Sequence, residues 1–339
     1  MFYLMGTKEE IQKHNMNYQE RNDARTSDFK SLEGSLSYSG IFKKAKEKII
    51  DRKDTTDEFI RFYSVAVSQS SQGYVMGIKM NNEEIKIRIA ELREIMKSKD
   101  ELYESDQNQK LLQPHLTKEK VSDEVLELTK EFTHLIKNNN FLDILSTRTS
   151  KRKYTEAPLT QDELAYLLWA TQGVKSVAGR ERKATFRTVP SAGARHPFET
   201  YLFVNRVEGL ESGMYHYLAL EHKLEFLGAI ENQIEKVSEA FGGQVFFGNA
   251  PVSFVWTVEP YRSEWRYTIN AQKYILLDAG HLCQNLYLAS ESIGCGACAI
   301  GAYEQSLADG LLGLDSEPTG DNENEFVVYA ACVGKTENQ

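Results

Sequence analysis

At 339 residues, 41% of them hydrophobic, the chain suits one large domain or two modest ones with a real core. A net charge of −9 argues against a nucleic-acid partner, because binders of the phosphate backbone carry a basic excess or stripe. Four cysteines make no disulfide scaffold, the opening Met1 to Gly6 is too short a secretory signal before Glu9 and Glu10, and no stretch approaches the 18 or more apolar residues of a membrane span, so a reduced, cytoplasmic protein without membrane segments is expected.

Residues 1–40 are polar, with few periodic apolar positions, and read as an extended arm. Ile41, Phe42, Ala45 and Ile49 fall on one helical face, as do Ile85, Ile89, Leu92 and Met96, which predicts two amphipathic helices separated by a loop at 68–73. The stretch 97–120, rich in charge and amides, reads as a linker. A boundary there divides a helical N-terminal extension, 1–120, from a second domain, 121–339.

Ser122 offers an N-cap, and Val125, Leu128, Phe132, Leu135 and Ile136 form a stripe that predicts a helix to about Lys137. Thr160 with Glu163 is a capping box, and Leu159 with Leu164 a hydrophobic staple, which together predict a helix over 161–172 ended by Gly173. β-type runs follow at 200–205, 214–218, 223–227, 252–258 and 325–333, the second and third reading as a hairpin. Helical segments at 231–241 and 272–292 lie among them without regular βαβ alternation. The pattern therefore favours an α+β fold, with a mixed or antiparallel sheet surrounded by helices. The 272–292 helix is apolar on most faces and suits a core or a dimer interface.

Three segments could carry chemistry. In Arg148-Thr149-Ser150-Lys151-Arg152-Lys153-Tyr154, two guanidinium forks and a hydroxyl could surround one phosphate, although most basic runs are only solvated surface. Pro190-Ser191-Ala192-Gly193 would let a backbone approach a flat ring, yet in isolation it reads as an ordinary turn. Cys295 and Cys298 form a lone CxxC without a second ligand pair, so they read as small buried side chains rather than a zinc site or a redox dithiol, and no metal is expected.

Taken in order with Asp278-Ala279-Gly280-His281 and the run from Gly294 to Gly301, these segments resemble the nitroreductase superfamily of flavin enzymes over roughly residues 141–335. Within it they resemble the SagB-type dehydrogenases, whose best-known members oxidise azoline rings in ribosomally made peptides. The resemblance implies a nitroreductase-like fold and a homodimer, with FMN bound through its phosphate to Arg148, Ser150 and Arg152. It implies a ring approached by Pro190, Ser191, Ala192 and Gly193, by Ile300 and Gly301 beside Ala299, and a basic contact at Lys335. Where azoline oxidases have a Lys-Tyr pair thought to handle the proton, this chain has Arg266-Tyr267. Arginine stays protonated, so Arg266 can hold an anion or a carbonyl but not act as the base, and Tyr267 keeps the proton-handling role. Lys273-Tyr274 and His281 read as structural.

The resulting expectation is an FMN-dependent oxidoreductase acting on a small-molecule or modified-peptide substrate. The alternatives are a reductase drawing on NAD(P)H and acting on nitroaromatics, quinones or enones, and a flavin-retaining scaffold subunit of a peptide-modifying enzyme complex.

Overall fold

The computed structural model describes residues 82–97, 104–180, 183–314 and 324–337. The helical face at Ile41 to Ile49 and the loop at 68–73 lie outside them. The first described element is helix α1 (Asn82–Met96), where the Ile85 to Met96 periodicity places one.

Within the rest, sequence signals translate directly at α3 (Gln161–Gln172), which follows α2 (Phe141–Thr147). The Thr160 hydroxyl accepts from the Glu163 amide at 3.1 Å, and the Glu163 carboxylate accepts from the Thr160 amide at 2.8 Å. Leu159 and Leu164 are both fully buried, as a staple requires. Helix α3 packs on the long helix α7 (Ala271–Ser292), and both cover one face of a seven-stranded sheet.

That sheet is built from β1 (Val125–Glu127), β4 (Phe198–Val204), β5 (Gly213–Leu218), β6 (Lys223–Gly228), β7 (Val252–Val258), β8 (Cys295–Ile300) and β9 (Phe326–Lys335), in the order β1-β6-β5-β4-β7-β9-β8. All its pairings are antiparallel. Alternation along β4 sends Leu202 and Val204 to the α3/α7 face and Tyr201 and Phe203 to a second core. That second core is covered by α4 (Gln233–Ala240), α5 (Val245–Gly248) and α8 (Gln305–Leu311). A separate hairpin, β2 (Val174–Ala178) and β3 (Ala184–Arg187), stands outside the sheet. No described helix is long and apolar enough to cross a membrane.

Two expectations are corrected. The helix from Ser122 to Lys137 is instead strand β1 and a single 3₁₀ turn, Thr133–Leu135. The Ser122 hydroxyl closes a short turn by accepting from Glu124, and the amides of Val121 and Ser122 donate to the buried carboxylate of Glu225, so the backbone is drawn into the sheet edge. The apolar stripe is real, since Leu128, Phe132, Leu135 and Ile136 pack on the first core, but its spacing does not make a helix.

The stretch 97–120 is not a free linker where it is described. Residues 104–122 form a strap over the sheet and α6 (Tyr261–Tyr267). Gln107 donates to the Trp265 carbonyl at 2.8 Å, Leu116 O accepts from Arg187, and the Lys118 amide donates to Glu199 at 2.6 Å. The strap belongs to a compact unit that runs from Asn82 to Gln339. A polar segment looks like a linker in sequence because its partners, Glu199 and Glu225, are charges buried elsewhere in the chain.

Topology then places the candidate site. The start of β4 and the end of β7 are neighbours, Phe198 facing Val258, so the turn before β4 meets α6 and α7 after β7. The basic run lies beside the other edge, where Ser150 bridges Ala297 in a parallel arrangement and Thr155 donates to the Lys335 carbonyl at 2.8 Å.

Candidate active site

Tyr287 on α7 is the platform of the basic run. The Arg148 guanidinium lies 5.2 Å from its ring centroid, and Ser150 Oγ is 2.9 Å from its hydroxyl. The Ala299 amide already donates to that oxygen at 2.8 Å, so the Tyr287 proton can go to Ser150, leaving the serine O–H for an incoming acceptor. Arg148 meets no carboxylate among the described residues.

Arg152 turns elsewhere, to 5.9 Å from the Phe246 ring, in an open groove of about 820 Å³ that it shares with Lys153, Arg206 and Asn249. Lys151 is half-buried over Gly296, whereas Lys153 is exposed. Lys335 is committed to Glu163 at 3.3 Å. The structure thus brings Arg148 and Ser150 together on Tyr287, Ser150 also lines the groove that holds Arg152, and Lys335 is turned to Glu163.

The Pro190–Gly193 turn is held by Asp278, one helix face away from Tyr287. Its carboxylate accepts from the Ala192 amide at 3.0 Å, and Ser191 accepts from the His196 amide at 2.9 Å, which closes the turn. Burial pushes the Asp278 pKa up, against the hydrogen bonds from Ser191 and Ala192. His281 stands 3.8 Å from Asp278 and is exposed. From 278 to 287 is nine positions of one helix, roughly 14 Å of axis, so α7 carries both motif segments on a rigid spacer.

Gly193 takes a left-handed φ of +56°, and a Cβ there would lie 2.5 Å from the Tyr267 hydroxyl and 2.9 Å from the Arg266 side chain. Glycine is therefore required twice, by conformation and by contact. The contact brings the proposed proton-handling pair against the turn. Ile300 points into the second core and Gly301 is exposed, so neither shares this wall through a side chain. Cys295 and Cys298 are free and buried, as small core residues. Burial raises the pKa of both thiols, that of Cys295 to about 12, which disfavours the nucleophilic thiolate.

Comparison with known proteins fits this arrangement. The Nitroreductase family profile matches residues 145–335, more than half the chain and a span that contains all of the motif residues above. The chain belongs to the nitroreductase family. A protein of Methanocaldococcus jannaschii named as a nitroreductase is 32% identical over 177 residues, 52% of this chain and 85% of that one. The trifolitoxin-processing protein of Rhizobium leguminosarum bv. trifolii is 29% identical over 133 residues, 38% of this chain and only 36% of that relative's length. The crystal structure of a Ralstonia eutropha protein described as a nitroreductase superposes with a TM-score of 0.50 at 21% identity, covering 67% of this chain and 98% of its own, which shows the shared fold. Membership places the chain among flavin oxidoreductases.

Asp278 and Tyr287, which organise the two halves of the site, were not assigned roles from sequence. Asp278 had a signal, its place in the Asp-Ala-Gly-His motif. Tyr287 had none beyond lying on the same helix.

Proposed function

We propose that this nitroreductase-family chain is an FMN-dependent oxidoreductase of the SagB type, acting on an organic substrate of the modified-peptide class. The observation that carries the reading is the meeting of Gly193 with Arg266 and Tyr267, which joins the turn and the pair that the family resemblance singles out. The name of the trifolitoxin-processing relative supports a processing role.

The residues present fit FMN. Arg148 and the outward Ser150 hydroxyl, oriented by Tyr287, form a donor set without a carboxylate among the described residues, as a phosphate dianion needs. When bound, FMN supplies the hydride acceptor or donor. The chain's own groups do the rest. Pro190 to Gly193 give the backbone close approach, Arg266 holds negative charge, and Tyr267 is the hydroxyl placed to give or take a proton. Ile300, Gly301, Arg152 and Lys335 have supporting rather than central places in this assignment.

Exposed Leu276 and Leu277 on α7, with Phe141 and Leu142 on α2, supply apolar surface for a homodimer. A reductase drawing on NAD(P)H differs in one observable, rapid bleaching of bound flavin by a reduced nicotinamide without oxygen.

The test is FMN titration of the apoprotein. Arg148→Ala should weaken binding roughly 10- to 100-fold by removing a charge-assisted contact, and Arg152→Ala should weaken it less, because Arg152 lies over Phe246. Unchanged affinity in Arg148→Ala refutes the phosphate assignment.

A further inference from the structure

Arg195 is a buried cation without an acidic partner among the described residues. It is 8% exposed, and its hydrogen bonds go to two carbonyls, Gly193 at 3.1 Å and Lys183 at 3.2 Å. Its guanidinium lies 5.5 Å from the ring of Trp265. Arg266 approaches the same Gly193, and among the described residues neither guanidinium meets a carboxylate. Burial, and then the charge of Arg266, push the Arg195 pKa down, so the two cations repel each other. Behind them His196 is kept neutral by burial and by the charges of Arg187 and Arg195, with its pKa lowered to about 3. Buried charge is normally paired, because its desolvation is otherwise uncompensated. A buried guanidinium and an exposed one thus meet at Gly193 with no anion between them among the described residues.

We infer that Arg195 and Arg266 form a carboxylate-binding subsite at the Gly193 turn, so that the substrate carries an anionic group beside the carbon presented to Tyr267. The inference rests on the oxidoreductase reading and adds the substrate's charge to it. A guanidinium fork matches a carboxylate with paired hydrogen bonds, and Arg195, fixed by its two carbonyls and Trp265, is pre-organised for the task. Arg266 is exposed and is the group that reaches solvent. The arginine that departs from the Lys-Tyr pair of azoline oxidases thereby acquires a role, orienting the substrate.

The experiment is calorimetric titration of benzoate and of benzamide, equal in shape and different in charge, into FMN-saturated protein and into the FMN-free protein. Benzoate should bind roughly tenfold or more tightly than benzamide, and Arg266→Gln should abolish that preference while leaving benzamide affinity unchanged. Arg195→Gln should act in the same direction. Equal binding of the two probes, or a benzoate preference that survives Arg266→Gln, overturns the subsite. Loss of FMN instead of benzoate in Arg266→Gln also overturns it, because the guanidinium groups would then serve the flavin. A protein that never takes up FMN refutes the oxidoreductase reading instead, and the FMN-free titration still reports the carboxylate preference.

Discussion

Two charged clusters lie on either side of Pro197, and they are built on opposite rules. On the β4 side, Glu199 meets Arg262 and His216, and His216 reaches Glu225 through its other ring nitrogen at 2.7 Å. The Lys118 amide shares the Glu199 oxygen that Arg262 holds, and the Val121 and Ser122 amides donate to the Glu225 oxygen that His216 leaves free. On the turn side, among the described residues, Arg195 meets two carbonyls and the Trp265 ring, Arg266 lies against Tyr267 and Gly193, and neither meets a carboxylate. Paired buried charges fix the strap to the sheet. Unpaired ones hold binding capacity open, at a cost in stability that the fold must carry.

The largest effect should come from breaking the paired cluster. Glu199→Ala leaves Arg262 and His216 buried without their shared carboxylate and should cost about 3–5 kcal/mol, read as a lowered urea midpoint. A cost under about 1 kcal/mol would mean that the pairing contributes little.

The same cluster should make stability depend on pH. Burial opposes the charged form of His216, but the hydrogen bonds and charges of Glu199 and Glu225 outweigh it and raise its pKa to about 9. A raised folded-state value stabilises fully below the unfolded value near 6.5 and is lost as pH climbs through 9. Roughly 2–4 kcal/mol should disappear across that window. His216→Gln should flatten the slope between pH 6.5 and 9, and a slope unchanged in that variant would assign it to another group.

Neither cluster could be read from sequence as a cluster, and the reason is physical. The capping box at Thr160 and the alternation of β4 and β7 are local, so the chain states them within a few residues. Glu225 draws in Val121 and Ser122 from more than a hundred positions away, which turned an expected helix into β1 and an expected linker into a strap. Arg148 and Ser150 were legible as a pair because they are two residues apart. Arg152 obeys the same motif spacing yet lies over Phe246, a neighbour supplied by α5 that no local pattern announces. Gly193 was legible as a glycine and not as a contact, since Tyr267 comes to it from 74 residues further on.

The smallest expected effect is the sharpest test of the contrast. Arg195→Gln removes a buried charge that has no anion, and glutamine's amide can still donate to a carbonyl, so folding stability should change by less than about 1 kcal/mol in either direction. Four positions away on the chain, removing the charge of Glu199 should cost several times more. The comparison needs both variants in urea with unchanged slopes, so that midpoints alone carry the difference. A loss in Arg195→Gln as large as that in Glu199→Ala would show that its bonds to Gly193 and Lys183 hold the turn together. Arg195 would then be structural, and the two sides of Pro197 would obey one rule. A near-neutral variant that has lost its preference for benzoate would show a charge kept at the turn for what it binds.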